Sequence, residues 1–224
     1  KYICSEQQLA LIGNNIDGLM QPDKYAGNGK GYVVRSLYFD DFQDGCLYDN
    51  INGNDPREKF RVRIYNADKS YIRLELKRKE KGKTRKHSCR IDETLCREMM
   101  QGRPLRMDAI DAVIYRKFCL WQNERLLQPK VIVEYDRRPY VYRDGNVRVT
   151  FDMNIRSGND IEGFLDDMLV TRPAMPVNQH VLEVKFDELI PDFLYAAVQT
   201  EKLRQTTYSK YYICRKYNPG GINA

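Results

Sequence analysis

From Glu58 to Asn66, in "EKFRVRIYN", apolar and polar residues alternate: Arg61, Arg63 and Tyr65 share one side, Val62 and Ile64 the other. The stretch "YIRLELKRKEKGKTRK", Tyr71 to Lys86, repeats the pattern, with Arg73, Glu75, Lys77 and Lys79 opposite Ile72, Leu74 and Leu76. A period of two predicts strands with one face buried. It recurs at Arg148, Thr150 and Asp152 against Val147, Val149 and Phe151, and at Glu183 and Lys185 against Leu182, Val184 and Phe186. "YVVRSLYFDD", "KHSCRID" and "PKVIVEYDRRPYVY" read as further strands, and the "RDGN" that follows contains the Asp-Gly pair favouring a tight hairpin.

Helical spacing takes over elsewhere. "SEQQLALIGNNIDGLM", Ser5 to Met20, has an N-cap serine and apolar Leu9, Ile12, Ile16, Leu19 and Met20 on one stripe. "DETLCREMMQG" has Asp92 as cap and Gly102 as stop, and "MDAIDAVIYRKFCLWQ" continues the pattern after Pro104. "PDFLYAAVQTEKLRQTTYSKYYICRKY" reads as a C-terminal helix or helix pair, and "YAGNGKGY", which lacks P-loop spacing, as a turn. Many hairpin-connected strands, with helices available to cover one surface, predict an α+β fold built on a closed antiparallel β-barrel. No Pro/Ser-rich linker divides the 224 residues, so a single domain over 1–224 is expected.

Composition narrows the chemistry. The 37 basic residues exceed the 31 acidic ones by six, which permits an anionic partner without requiring one. Six cysteines show no C-x-x-C pair and no zinc spacing, so buried thiols in a reducing compartment are expected. No apolar run approaches the roughly twenty residues of a membrane span, and no signal-peptide segment is present. The expectation is a cytoplasmic domain, with a membrane-protein partner left open. His87 and His180 are the only histidines, and neither has a Ser or Cys at a spacing that marks a nucleophile. The 16 tyrosines fall mostly in strands and the last helix, where they serve packing, which argues against a nucleic-acid module.

One alternating strand is ordinarily a solvated face. Recurrence over several strands, with helices to cover the apolar sides, instead turns the charged faces inward to a lumen. Such a lumen is costly to desolvate unless water, carboxylates or an anionic ligand fills it. A string of phosphates matches it, with Arg gripping oxygens in bidentate fashion and Lys acting as a point charge. Glu75 and Glu183 then become ligands for Mg²⁺ or Mn²⁺ bridging to phosphate oxygens. Plainer roles compete: Lys79, Lys81, Lys83 and Lys86 as a wet hairpin tip, Glu183 as an ion-pair partner of Lys185, and Ser209 as a local helix cap.

"YVVRSLYFDD", "REKFRVRIYN", "LELKRK", "VEYDRRPY", "RVTFD", "VLEVKF" and "YSKYY", in this order, resemble the VTC domain, the polyphosphate polymerase domain of vacuolar transporter chaperone proteins and their bacterial relatives. That family belongs to the triphosphate tunnel metalloenzymes, or CYTH superfamily, whose members enclose a basic tunnel in an antiparallel barrel. The resemblance implies transfer of the ATP γ-phosphoryl group onto a polyphosphate or pyrophosphate acceptor, with Mn²⁺ or Mg²⁺; other members hydrolyse triphosphates or make cyclic AMP. It implies catalytic roles for Arg61, Arg63, Lys77, Arg137, Arg148 and Lys210. Phosphate binding falls to Lys1, Lys185, Ser209 and either Arg85 or Lys86, and metal binding to Glu183, joined by Glu75. A non-catalytic sensor of polyphosphate or inositol phosphates is the remaining alternative. One position conflicts with the alternation. Arg137 shares parity with Val131, Val133 and Tyr135, so it faces a lumen only if a bulge lies near Asp136; otherwise Glu134 is the inward group.

Overall fold

The computed structural model describes residues 1–27, 29–200 and 203–216. In chain order its first elements are β1 (Tyr2–Ser5), α1 (Glu6–Ile16), β2 (Gln21–Pro22), β3 (Tyr32–Asp40), α2 (Gly45–Ile51), β4 (Arg57–Tyr65), β5 (Ile72–Glu80) and β6 (Lys83–Ile91). There follow α3 (Glu93–Met100), α4 (Val113–Arg125), β7 (Gln128–Tyr142), β8 (Val147–Gly158), β9 (Arg172–Pro173), β10 (Gln179–Lys185), α5 (Asp192–Val198) and α6 (Lys210–Lys216). The chain forms two compact units, one from residues 1–33, 135–155 and 175–208, the other from 34–134, 156–174 and 209–216.

In the first unit the hydrogen-bonded strand order is β1-β10-β8-β7, with β2 added against β7. Ser5 opens α1 through a capping box: its hydroxyl accepts from the Gln8 amide at 3.2 Å, and the Gln8 side chain accepts from the Ser5 amide at 2.9 Å. The helix then lays Leu9, Ile12 and Ile16 on the apolar face of β8 and β10, where Val147, Val149, Phe151 and Leu182 are buried with Leu194 and Val198 of α5. It ends at Ile16, short of the predicted Leu19 and Met20, ahead of the left-handed Gly18 (φ 75°). The turn between β7 and β8 contains the expected Asp-Gly pair. Gly145 sits at φ 73°, where a Cβ would lie 2.4 Å from the Leu189 carbonyl oxygen.

In the second unit the order is β7-β3-β4-β5-β6, with β9 paired to β8. Asp92 caps α3, its carboxylate accepting from the Leu95 amide at 2.8 Å. Helix α4 begins at Val113, not near Met107; Ala112 before it is extended, and Asp108 is held by Arg106 at 2.9 Å in the preceding loop. Phe118 of α4 meets Phe39 and Phe60 edge-on at 4.9 and 5.3 Å, and Trp121 meets Phe60 at 5.3 Å. Val62, Ile64, Leu74 and Leu76 are buried in the same cluster. Arg61 and Arg63 are therefore turned to the other face of the sheet. The short helix α2 went unread in the sequence because buried Asp40 holds it from outside, accepting from the amides of Cys46 and Leu47 at 2.8 and 3.0 Å.

The C-terminal segment contains two helices, α5 and α6, and the described residues between them are non-helical. Glu201, Lys202 and Tyr217 of the predicted helical stretch, and Asn28 of the predicted turn, lie outside the described residues. The expectation of a closed hydrogen-bonded barrel is corrected. The strand path runs from β1 to β6, and these two do not pair among the described residues. The physical reason lies in the ends: β1 is only four residues long, and β6 carries exposed Lys83, Arg85, Lys86 and His87, a charged edge that resists further pairing. All six cysteines are free thiols. Among the described residues no helix is long and apolar enough to cross a membrane.

Phe118→Ala, which empties the contact between α4 and β3/β4, should cost about 3–5 kcal/mol in chemical denaturation, with the far-UV spectrum of the surviving fold retained.

Candidate functional site

The backbone register of β4, β5 and β6 arranges the charged face into cross-strand rows: Lys59–Lys77–Lys86, Arg61–Glu75–Ser88 and Arg63–Arg73–Arg90. The next row, Arg57–Lys79–Thr84, runs toward the hairpin end. The first three hold seven cations, one carboxylate and one hydroxyl. Like charges directly opposite one another on a sheet repel. Glu75 offsets this repulsion from the middle of the face. It is 1% exposed and meets Arg61 at 2.6 Å, Arg63 at 3.8 Å, and the ammonium of Lys86. Burial by itself would raise the Glu75 carboxyl, but the fields of Arg61, Arg63 and Lys86 outweigh it and hold the group at about 2.

Strand β3 extends the face on the other side of β4. Ser36 and Tyr38 lie opposite Arg63 and Arg61, and each accepts from its partner, Arg63 to Ser36 at 3.0 Å and Arg61 to the Tyr38 hydroxyl at 2.8 Å. Burial would raise the Tyr38 phenol, yet Arg61, Lys59 and Arg63 together pull it down to about 7. Helix α6 reaches the same place through Tyr211, whose ring lies 5.0 Å from that of Tyr38, and the Lys59 ammonium sits over both rings at 5.6 and 5.4 Å. The Tyr211 hydroxyl bonds buried Asp40, while Arg215 one turn later reaches Asp44 at 2.8 Å. Ser209 caps this helix, its oxygen accepting from the Tyr212 amide at 3.3 Å, and Lys210 is the first helical residue.

The first unit carries its own charged face. Across β8 and β10, Arg148 opposes Lys185 and Thr150 opposes Glu183. Arg137 grips fully buried Asp152 in bidentate fashion at 2.6 and 2.8 Å and lies 4.0 Å from Glu183. Glu183 has Lys185 at 3.4 Å and Lys1 at 3.7 Å, and the Lys1 side chain also donates to the Tyr208 carbonyl at 2.9 Å. Arg148 pairs with Asp23 at 2.9 Å.

These contacts place every expected site residue. Arg61, Arg63, Lys77, Lys86 and Glu75 share the face of the second unit. Arg85 faces away, opposite Arg78, and with His87 and Lys117 lines a separate cavity of about 540 Å³. Of Arg85 and Lys86, register puts Lys86 on the face beside Glu75. Of the competing pair, Glu134 is held by Arg35 at 2.6 Å and Arg156 at 3.1 Å in the second unit, and Arg137 by Asp152 in the first. The neighbouring strand has left-handed backbone at Asn154 (φ 50°), whose side-chain Nδ2 donates to the Asp136 carboxylate at 2.6 Å. Arg73 and Asp152 were read in the sequence only as members of alternating polar faces, and Lys59, Tyr38 and Arg90 were not singled out. Lys59 shares the parity of Arg61 and was recognisable on that ground; Tyr38 and Asp152 needed their cross-strand neighbours.

Among the described residues no three His, Cys, Asp or Glu side chains come together as a protein-only metal cage. A hard divalent cation on phosphate substrates uses one or two carboxylates and completes its shell with phosphate oxygens and water. Glu183 fits that use, since its side chain is 13% exposed and its cationic neighbours stand 3.4–4.0 Å away. Glu75 is 2% exposed at the side chain and is engaged at 2.6 Å by Arg61, which suits it to organising cations.

The family model of the VTC domain matches residues 1–217, which takes in both units. The chain belongs to the VTC domain family. Among solved structures, this VTC domain is similar to a Hippeastrum protein described as an adenylyl cyclase with a dominant triphosphatase activity. The TM-score is 0.59 at 14% identity, covering 99% of this chain and 94% of that one. The two share a fold. A Bacillus halodurans protein described as an adenylate cyclase matches with a TM-score of 0.44 at 12% identity (87% and 82% covered). A Pyrococcus horikoshii protein matches with 0.43 at 11% (92% and 93%). No curated protein matches the chain.

Because Glu75 is depressed from 4.5 to about 2, its stabilisation is complete above the unfolded value and is lost as pH falls through the folded one. Denaturation of the wild type should lose on the order of 3 kcal/mol across that window from this group, and Glu75→Gln should flatten that limb.

Proposed function

We propose that this VTC domain is a metal-dependent polyphosphate polymerase, transferring the γ-phosphoryl group of ATP onto a polyphosphate chain. The observation that carries the reading is the face of seven cations around one buried carboxylate. Its positive excess is costly in a desolvated setting and is best matched by a polyanion of phosphates. Family membership supports the same substrate class.

In this reading Arg61 and Arg63 grip phosphate oxygens with planar, pre-oriented guanidinium groups, while Lys77 and Lys86 add point charges along the same face. Glu75 holds the guanidinium of Arg61 in place before substrate arrives, so little reorganisation is left for the transition state. Lys210 is assigned to the charge that builds on the transferred group, with Ser209 setting the start of its helix. In the first unit Arg137, fixed by Asp152, and Arg148, Lys1 and Lys185 bind further phosphate oxygens. Glu183 would hold Mn²⁺ or Mg²⁺, which would supply charge neutralisation to the phosphates. A phosphate acceptor needs no general base, which accords with a chain whose histidines, His87 and His180, are not in these clusters. The protein's task is alignment and electrostatics.

Triphosphate hydrolysis is the second reading, favoured by the activity described for the Hippeastrum protein of the same fold. It differs in whether water or a phosphate chain reaches the γ-phosphorus. We assign ATP and polyphosphate or pyrophosphate as partners, with no nucleic acid, and a cytoplasmic setting with room for a membrane-protein partner.

With ATP and Mn²⁺, the protein should form polymer detectable on gels, and Arg63→Ala and Lys210→Ala should each lower the rate at least about 100-fold. Free phosphate without polymer would move the assignment to hydrolysis. ATP left intact, with tight binding of phosphate chains, would sink both enzymatic readings. Glu183→Gln should weaken the metal dependence while preserving metal-free binding of tripolyphosphate.

A further inference from the structure

Tyr38 is a buried polar side chain that the proposed chemistry does not use. It is 5% exposed on β3, and its oxygen accepts from Arg61 Nη1 at 2.8 Å. Its own O–H has no acceptor among the described residues. Tyr211 and Lys59 hold the ring, at 5.0 Å between ring centroids and 5.6 Å from ammonium to ring. A buried hydroxyl with an unused donor is unfavourable, so such a group points to a ligand or to loss of the proton.

We propose that Tyr38 is a direct ligand of the phosphate chain, donating its hydroxyl proton to an oxygen of the phosphate group that Arg61 grips. The proposal rests on the phosphate-binding reading of this face. The surrounding charges make the contact proton-coupled. Lys59, Arg61 and Arg63 on β4 bring the phenol to about 7, against the effect of burial. Glu75 on β5 is joined to Arg61 and is not a partner of Tyr38, and Tyr211 on α6 presents a ring whose hydroxyl is committed to Asp40. In the free protein near neutral pH, part of the population carries a phenolate that supplies counter-charge to Arg61. When a phosphate anion takes up that counter-charge role, the phenolate accepts one proton from solvent and becomes a donor. The phenol O–H bond forms as the bond to that proton in hydronium or the buffer acid breaks, and no bond between heavy atoms changes.

The sign follows from proton uptake on binding. Affinity for the anion should rise as pH falls from about 8 to about 6, by more than the ligand's own titration accounts for, and the excess should be absent without the phenol. Tripolyphosphate without metal serves as the probe, titrated into wild type, Tyr38→Phe and Arg61→Ala by calorimetry in buffers of different ionisation enthalpy. The tyrosinate absorbance band is followed in parallel. Wild type should take up a fraction of a proton near pH 7 and lose tyrosinate absorbance on binding, while Tyr38→Phe binds about tenfold more weakly and shows neither signal. Wild-type affinity in Tyr38→Phe, with binding still lost in Arg61→Ala, would overturn the role of Tyr38 and leave the phosphate-binding face standing. Failure of wild type to bind tripolyphosphate at all would overturn both.

Discussion

A carboxylate that is 1% exposed holds together a face of the sheet that would otherwise repel itself. Glu75 accepts from Arg61, lies near Arg63 and pairs with Lys86, so three of the cations in the central rows are referred to one anion. Desolvating that carboxylate is costly, and only the cations around it make its charged form the stable one. The balance is deliberately incomplete in sign: one negative charge against seven positive ones leaves a field that an anion of several charges can satisfy.

The apolar side of the same strands explains why this arrangement cannot relax by turning over. Phe60, Val62 and Ile64 are fully buried against Phe118 and Trp121 of α4, and a strand slipped by one residue would put arginines into that cluster. Packing thus sets the orientation of charge. The C-terminal helix is tied to this face by a different device. Tyr211 lies against Tyr38 and bonds Asp40, and Asp40 in turn holds the first turn of α2, so one buried carboxylate joins a strand end and two helices. Lys210, adjacent to Tyr211, inherits its place from that junction.

Much of this was legible in the residues themselves. Alternation placed Arg61 and Arg63 opposite Val62 and Ile64, and Ser5 and Asp92 marked the starts of α1 and α3 through side-chain acceptors that act locally. Other features were hidden because they depend on residues far apart in the chain. Register across β5 and β6 separated Lys86 from Arg85, which composition cannot distinguish. Helix α2 is anchored by Asp40 from the preceding strand. Asp152 looked like one more alternating polar residue until Arg137 was found clasping it. Barrel closure was expected from strand number, but closure depends on whether terminal strands pair, and neither the short β1 nor the charged edge of β6 announces a partner.

By itself, then, the sequence determined which faces of the strands are charged, where the capped helices begin, and the ordered set of motifs shared with the VTC family, since all three arise from local periodicity and short-range hydrogen bonding. The tertiary structure alone decided which cations share a carboxylate, which tyrosine meets Arg61, and which of Arg85 and Lys86 lies beside Glu75. Those outcomes are set by strand register and burial. A shift of one residue, invisible in composition, reverses which side chain reaches the charged face.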